Sequence, residues 1–294
     1  MSGTQSRGFD KSTLVTALPV IALLPTWFIS ITTIWLPVSL VVNVSLLHFA
    51  IGAFVSSALL LMRSVQSVIL TRLIGTRAPT PAEISRIEGP WKAVLQANHQ
   101  PRSKYLITVL DSDDINAFAC GGNLVVVSSV ALHYLPEAEL RGVLAHELSH
   151  HLGSHTILLT IGQWLSVPII LLGRIGIFFQ HIAEAATRTL GAGSPALEVI
   201  GFVFVSITRV IAMVFLSTLT ISQMIGNRAG RGTEYDADRR VVDMGFGRDL
   251  ASALRLIGSD SQAAPHWREN LVTSHPPAQT RITRIEALVK QKGR

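Results

Sequence analysis

Cysteine is nearly missing from this chain: Cys120 is the only one in 294 residues. No internal disulfide can form, and a four-cysteine structural metal site is excluded with it. Charge is scarce as well. Asp, Glu, Lys and Arg make up only 15% of the residues, against roughly 25% in a soluble domain. Together with 48% hydrophobic residues and a mean hydropathy of +0.42, this excludes a disordered, collagen-like or coiled-coil chain and argues against an ordinary cytosolic enzyme. Acidic charge is the scarcer sign, leaving a formal +6 and a pI of about 10.0. The basic residues are scattered and lack aromatic interleaving. They therefore read as basic flanks of membrane spans, and nucleic acid is not expected as a partner. There is no internal repeat and no low-complexity tract.

What is present in abundance is uncharged length. From Leu14 to Met62 there are 49 residues without Asp, Glu, Lys or Arg. A membrane span needs roughly 20, so the run predicts two passes with a turn near Trp35 to Asn43, where Pro37 interrupts the helical pattern. Arg7 and Lys11 resemble the head of a signal peptide, but such a peptide has an apolar core of only about 7–15 residues. Two further runs follow, Thr156–Gly173 and Val199–Ile225, the latter interrupted by Arg209, which would snorkel or pair with Glu198. Four passes in two hairpins result. The expected organisation is a first hairpin over residues 1–62, a soluble segment over 63–155, a second hairpin over 156–226 and a second soluble segment over 227–294. Arg63, Arg72, Arg77, Arg228 and Arg231 flank the soluble parts. The positive-inside rule then places those parts and both termini in the cytoplasm.

The soluble part carries His146-Glu147-Leu148-Ser149-His150, an HExxH pattern. Pro136 followed by Glu137 and Glu139 reads as a helix start, and Leu140, Val143 and Leu144 supply an apolar face. On that helix His146 and His150 stand one turn apart, a spacing that suits two ligands of one zinc ion, with Glu147 on the neighbouring flank as a base for water. A hydrolytic zinc needs a third protein ligand and one open position. The HExxHxxGxxH pattern has its Gly153 but meets Thr156 where the third histidine should stand, with His155 one residue early. Glu234, in Glu234-Tyr235-Asp236-Ala237-Asp238, is the better candidate. Asp238 lies one turn on and is placed to orient a ligand histidine. An acidic helix start after Gly230 and Gly232 is the plainer reading of that run. Two intervening spans keep Glu234 on the same side of the membrane as the motif. Upstream, Asn116, Ala117, Phe118 and Ala119 precede a Gly121-Gly122 turn and a β-branched strand. They form either an ordinary hairpin or the edge to which a peptide substrate adds as a strand. Cys120 reads as a small core residue. His275, in Ser274-His275-Pro276-Pro277, reads as a loop residue ahead of an amphipathic helix through Ile282, Ile285, Leu288 and Val289.

These elements in this order resemble the M48 family of zinc metallopeptidases, and the paired spans before and after the motif are similar to its HtpX-like bacterial branch. The resemblance covers the whole chain. It implies an α+β membrane protein with a gluzincin-type metallopeptidase domain, a small mixed sheet on helices, and about four transmembrane helices. It implies one Zn2+ per chain held by His146, His150 and Glu234, with Glu147 as catalytic base, Asp238 supporting a ligand, and His275 near the substrate or the oxyanion. It also implies a bacterial-type inner-membrane protein that cleaves misfolded or damaged membrane proteins. Cys120 departs from the small hydroxyl residue common at its position. Two other readings compete. An intramembrane protease of the site-2 type would need its motif inside an apolar span and a Leu-Asp-Gly motif, which the chain lacks. A membrane adaptor with a structural zinc would need a fourth ligand, for which His151, His155 and His275 are available.

Overall fold

The computed structural model describes residues 11–153, 155–190, 194–259 and 277–293. Two compact units are each assembled from separate stretches of chain. One comprises Met1–Thr16, Ala58–Thr160 and Asn227–Arg294; the other comprises Ala17–Ser57 and Ile161–Gly226.

The second unit is helical. It draws on α1 (Lys11–Ser39), α2 (Leu46–Leu59), and the apolar parts of α8 (His155–Leu190) and α9 (Pro195–Asp243). Leu23, Trp27, Ile31, Ala50, Leu165, Ile169 and Phe215 form its interior. Its outward faces are apolar too, with Phe28, Phe178, Phe202, Phe204 and Val210 exposed. Such a surface suits a hydrocarbon surrounding rather than water. Polar side chains bond inward: the Thr26 and Thr218 hydroxyls meet at 3.0 Å, and the Trp164 indole donates to Ser56 Oγ at 2.8 Å. Arg209 pairs with Glu184 at 3.2 Å, not with Glu198.

Ala17–Ser39, Thr156–Thr189 and Pro195–Asp243 are long and apolar enough to cross a membrane. Among the described residues a fourth candidate arises only if α2 and the segment Arg63–Ile74, on either side of a bend, count as one broken span. The second pass expected within Leu14–Met62 is thus interrupted, because α2 has 14 residues and rises only about 21 Å. Pro37 does not break α1, which continues to Ser39 before the turn at residues 40–45. Gly230 and Gly232 do not start a new helix either: α9 runs unbroken for 49 residues. Each glycine costs about 1 kcal/mol relative to Ala in a helix, and Ala237, Val241 and Val242 bury the far end of α9.

The first unit carries a four-stranded mixed sheet in the order β1-β2-β4-β3. The strands are β1 (Thr76–Arg77), β2 (Leu106–Leu110), β3 (Ala117–Cys120) and β4 (Leu124–Ser128). Only β2 and β4 pair in parallel. All five residues of β4 are buried, which explains why it reads as a continuous Leu-Val-Val-Val run rather than an alternation. Val109, Val125 and Val127 pack into a core with α5 (Pro81–Ala97), α6 (Ser129–Tyr134), α7 (Glu137–Leu152), α10 (Gly247–Ser259) and α11 (Ala278–Lys292). The other sheet face meets Leu70 and Ile74, from a run of helical turns made of α3 (Arg63–Val65), a π turn (Gln66–Leu70) and α4 (Thr71–Ile74). Gly142 lets α7 and α10 touch backbone to backbone: a Cβ there would stand 2.4 Å from the Leu250 nitrogen. Strand β3 is a sheet edge.

Candidate metal centre

Helix α7 starts where the sequence predicts, with Pro136 before its first residue and Glu137 and Glu139 in the first turn. Leu140, Leu144 and Leu148 are fully buried and anchor it in the core. That anchoring carries His146, Glu147 and His150 inside as well, at 5%, 6% and 8% exposure. Three buried polar side chains on one helix would destabilise the unit unless something satisfies them. The end of α9 supplies buried Glu234 and Asp238, one turn apart, and α11 supplies buried Arg281.

His146 Nε2 and His150 Nε2 lie 3.2 Å apart. Glu234 Oε2 is 3.3 Å from the first and Glu234 Oε1 is 3.3 Å from the second. A tetrahedral ion with bonds of about 2.0 Å to imidazole and carboxylate sets its ligand atoms about 3.3 Å apart. The two Glu234 contacts end on different oxygens, so the carboxylate spans the two imidazoles, and one donor atom from each side chain lies within 4.8 Å of the others, close enough to share one ion. Among the described residues this is the only cluster of His, Cys, Asp and Glu able to hold a metal, and three donors leave a fourth position open. The donor set suits a borderline divalent ion such as zinc.

The tautomer of His146 follows from its second nitrogen. Nδ1 lies 3.1 Å from Asp238 Oδ1. A carboxylate only accepts, so Nδ1 carries a proton, and Nε2 is the nitrogen left facing Glu234 and His150. Arg281 in turn holds Asp238 with two bonds, Nε to Oδ2 at 2.9 Å and NH2 to Oδ1 at 2.7 Å, and reaches Glu234 Oε2 at 3.2 Å. Its NH2 group is 3.3 Å from both ring nitrogens of His146, which marks a packing contact with the ring rather than a bond to one lone pair. Burial disfavours the Arg281 cation, but Asp238, Glu234 and Glu147 outweigh it and push its pKa up. Burial disfavours the Asp238 carboxylate, and bonds from His146 and Arg281 outweigh that and hold its pKa down. Burial and Arg281 both oppose an imidazolium at His146, yet Glu234 and Asp238 prevail and raise it to about 9. The carboxylates thus favour positive charge at Nε2, whether a proton or a metal ion.

The structure brings His146, His150, Glu234 and Asp238 together and buries Glu147 on the same helix. Ala117, Phe118 and Ala119 lie on β3, beside α7, and Asn116 just precedes that strand. His275 falls outside the described residues. His151, adjacent to a site residue, turns elsewhere: its Nε2 donates to the Leu124 carbonyl at 2.9 Å and its Nδ1 meets Thr156 Oγ1 at 3.2 Å. Cys120 is half-buried, and burial pushes its thiol pKa up. The residue that sequence reasoning missed is Arg281. A signal was present: it stands four and eight residues before Ile285 and Val289, a cation on the apolar face of an amphipathic helix.

Residues 81–289 match the sequence model of peptidase family M48. Among curated proteins the chain is 28% identical over 213 residues to "Protease HtpX homolog" of Acidiphilium cryptum (strain JF-5), covering 63% of this chain and 68% of that protein. It is 27% identical over 240 residues to "Protease HtpX homolog" of Desulforapulum autotrophicum (strain ATCC 43914 / DSM 3382 / VKM B-1955 / HRM2), covering 74% and 73%.

Proposed function

The chain is a metallopeptidase belonging to peptidase family M48, and from that premise we propose that it is a membrane-bound zinc endopeptidase acting on misfolded or damaged membrane proteins. The cluster of His146, His150 and Glu234, with the two Nε2 atoms 3.2 Å apart and one Glu234 oxygen 3.3 Å from each, is the observation that supports this best. These three residues would hold one zinc ion. When bound, zinc supplies Lewis acidity, polarising a scissile carbonyl and lowering the pKa of water toward about 7.

The chain's own groups do the rest. Glu147 takes a proton from the attacking water and later delivers it to the leaving nitrogen. Asp238 keeps the His146 proton on Nδ1, so that Nε2 stays a donor to the metal. Arg281 offsets part of the charge of Asp238 and Glu234 and fixes both in place. The free side of β3, at Asn116 to Ala119, receives the substrate as an added strand. His275 lies near the substrate or the oxyanion.

The site is membrane-proximal in this reading. His150 is six residues from Thr156, where an apolar run begins. Glu234 is nine residues past Ile225, where another ends, or about 14 Å of helix rise. In this reading the face lies in the cytoplasm of a bacterial-type cell, which the basic flanks support. The test is metal content and casein cleavage of the detergent-purified protein, wild type beside Glu147→Gln, with and without chelator. The variant should keep its zinc and lose about 10²–10⁴-fold in rate. Undiminished, chelator-sensitive cleavage by the variant would remove Glu147 from its role.

A further inference from the structure

The sheet-bearing unit hides its large apolar side chains well, with one concentrated exception. They are exposed at Leu59, Met62, Val68, Ile69 and Leu73, the last at 76%; elsewhere among its described residues only Ile84, Tyr134 and Leu159 share this exposure. The segment 63–74 has two apolar sides. Gln66, Leu70 and Ile74, spaced by four, face the sheet, where Leu70 and Ile74 pack on Leu124, Val126 and Phe118. Met62, Val65, Ile69 and Leu73 form a second stripe with Val68 beside it, and no described residue of the unit covers it.

The surrounding chemistry selects an occupant. No Asp or Glu occurs between Lys11 and Ala82, so Arg63 and Arg72 flank the stripe with no acidic residue within ten positions of either on that stretch of chain. Arg63 donates to the Ser103 carbonyl, and Arg77, the next cation, is occupied by Glu83 and Asp111. The stripe also follows directly on the uncharged run that ends at Met62. Apolar side chains between arginines, continuous with a membrane-type sequence, match the boundary between anionic headgroups and acyl chains.

We propose that residues 62–73 are an in-plane lipid-binding surface, Met62, Ile69 and Leu73 dipping into the bilayer interface and Arg63 and Arg72 meeting anionic headgroups. The inference rests on the membrane-associated reading above and adds what the segment is for. Gln66 latches it to the hairpin of β3 and β4: its Oε1 accepts from the Asn123 amide at 3.2 Å while its Nε2 donates to the Leu60 carbonyl at 3.0 Å. Gly121 permits this approach, since its φ is +62° and a Cβ there would stand 2.7 Å from Gln66 Nε2. The surface that meets lipid is therefore bonded to the turn that ends strand β3, so the strand proposed to receive substrate is held at the level of the bilayer.

The experiment uses the full chain in lipid nanodiscs containing anionic phospholipid. On a Cys120→Ser background, spin labels are placed singly at Ile69→Cys and Leu73→Cys, with Tyr134→Cys and Ile207→Cys as water and lipid references; retained zinc checks that each variant is folded. Labels at 69 and 73 should collide with dissolved oxygen in preference to a water-soluble nickel chelate, as at 207 and unlike 134. If 69 and 73 favour the chelate while 207 favours oxygen, the inference is overturned and the membrane reading stands. If 69 and 73 are shielded from both reagents, a protein partner covers the stripe and the lipid assignment is wrong. If 207 itself favours the chelate, the membrane reading fails and takes the inference with it.

Discussion

Two arginines in the sheet-bearing unit do the same thing in different surroundings. Arg77 forks between Glu83 at 2.8 Å and Asp111 at 2.7 Å, with over a third of its side chain exposed. Arg281 forks between Asp238 at 2.7 Å and Glu234 at 3.2 Å, with 7% exposed. Near the surface, water screens Arg77 and Asp111, though Glu83 is 14% exposed, and the fork ties β1 to the start of α5, where Thr80 and Glu83 cap each other. In the interior no solvent compensates a missing partner, so each charge depends on the others. The same trio of groups is a surface fastening in one place and the frame of the candidate metal centre in the other. Burial makes the difference.

Breaking the buried fork should have the largest effect. Arg281→Gln strands two carboxylates and should cost about 3–5 kcal/mol, read as a fall in the denaturation midpoint together with loss of zinc. Arg281→Lys sharpens the point: it keeps the charge but loses the two-pronged grip on Asp238, and should fall between wild type and Arg281→Gln. Asp238→Asn comes next. It removes the acceptor that holds the His146 tautomer and should weaken zinc binding about 10–100-fold, measured by competition with a chromophoric chelator.

The surface fork should respond least. Arg77→Gln should leave zinc content and casein cleavage unchanged and lower the melting temperature by less than any of the above. Its small effect should also depend on pH. The hydrogen bonds from Arg77 hold Glu83 at about 2, below its ordinary 4.5, and lower Asp111 as well. A depressed carboxylate stabilises the fold above its ordinary pKa and loses that contribution as pH falls toward the folded value. The difference in melting temperature between wild type and Arg77→Gln should therefore be full above pH 5 and close as pH falls from 4.5 toward 2.

The two forks were not equally legible. Near neighbours in sequence announce Arg77 and Glu83, since Thr80-Pro81-Ala82-Glu83 is a helix-capping pattern. His146 and Arg281 are 135 residues apart, and periodicity places Arg281 on a buried face without naming its partners. Gly230 and Gly232 suggest a new helix by propensity, but packing at the far end of α9 overrides the local preference. Adjacent His150 and His151 cannot be told apart by composition. Only the position of the Leu124 carbonyl turns the second away from the centre.

By itself the sequence determined what local rules govern: helix α7 with two imidazoles one turn apart, a carboxylate between them, a buried central strand, and apolar runs too long for a water-soluble core. These follow from the 3.6-residue helical turn, strand propensity and the length of chain that hydrophobicity requires. Tertiary structure decided what depends on distant residues meeting: Glu234 completing the cluster, Asp238 holding the His146 Nδ1 proton, Arg281 bridging both carboxylates, and the break after α2. Those outcomes rest on the desolvation of charges and on packing across long loops of chain, and no window of adjacent residues contains either.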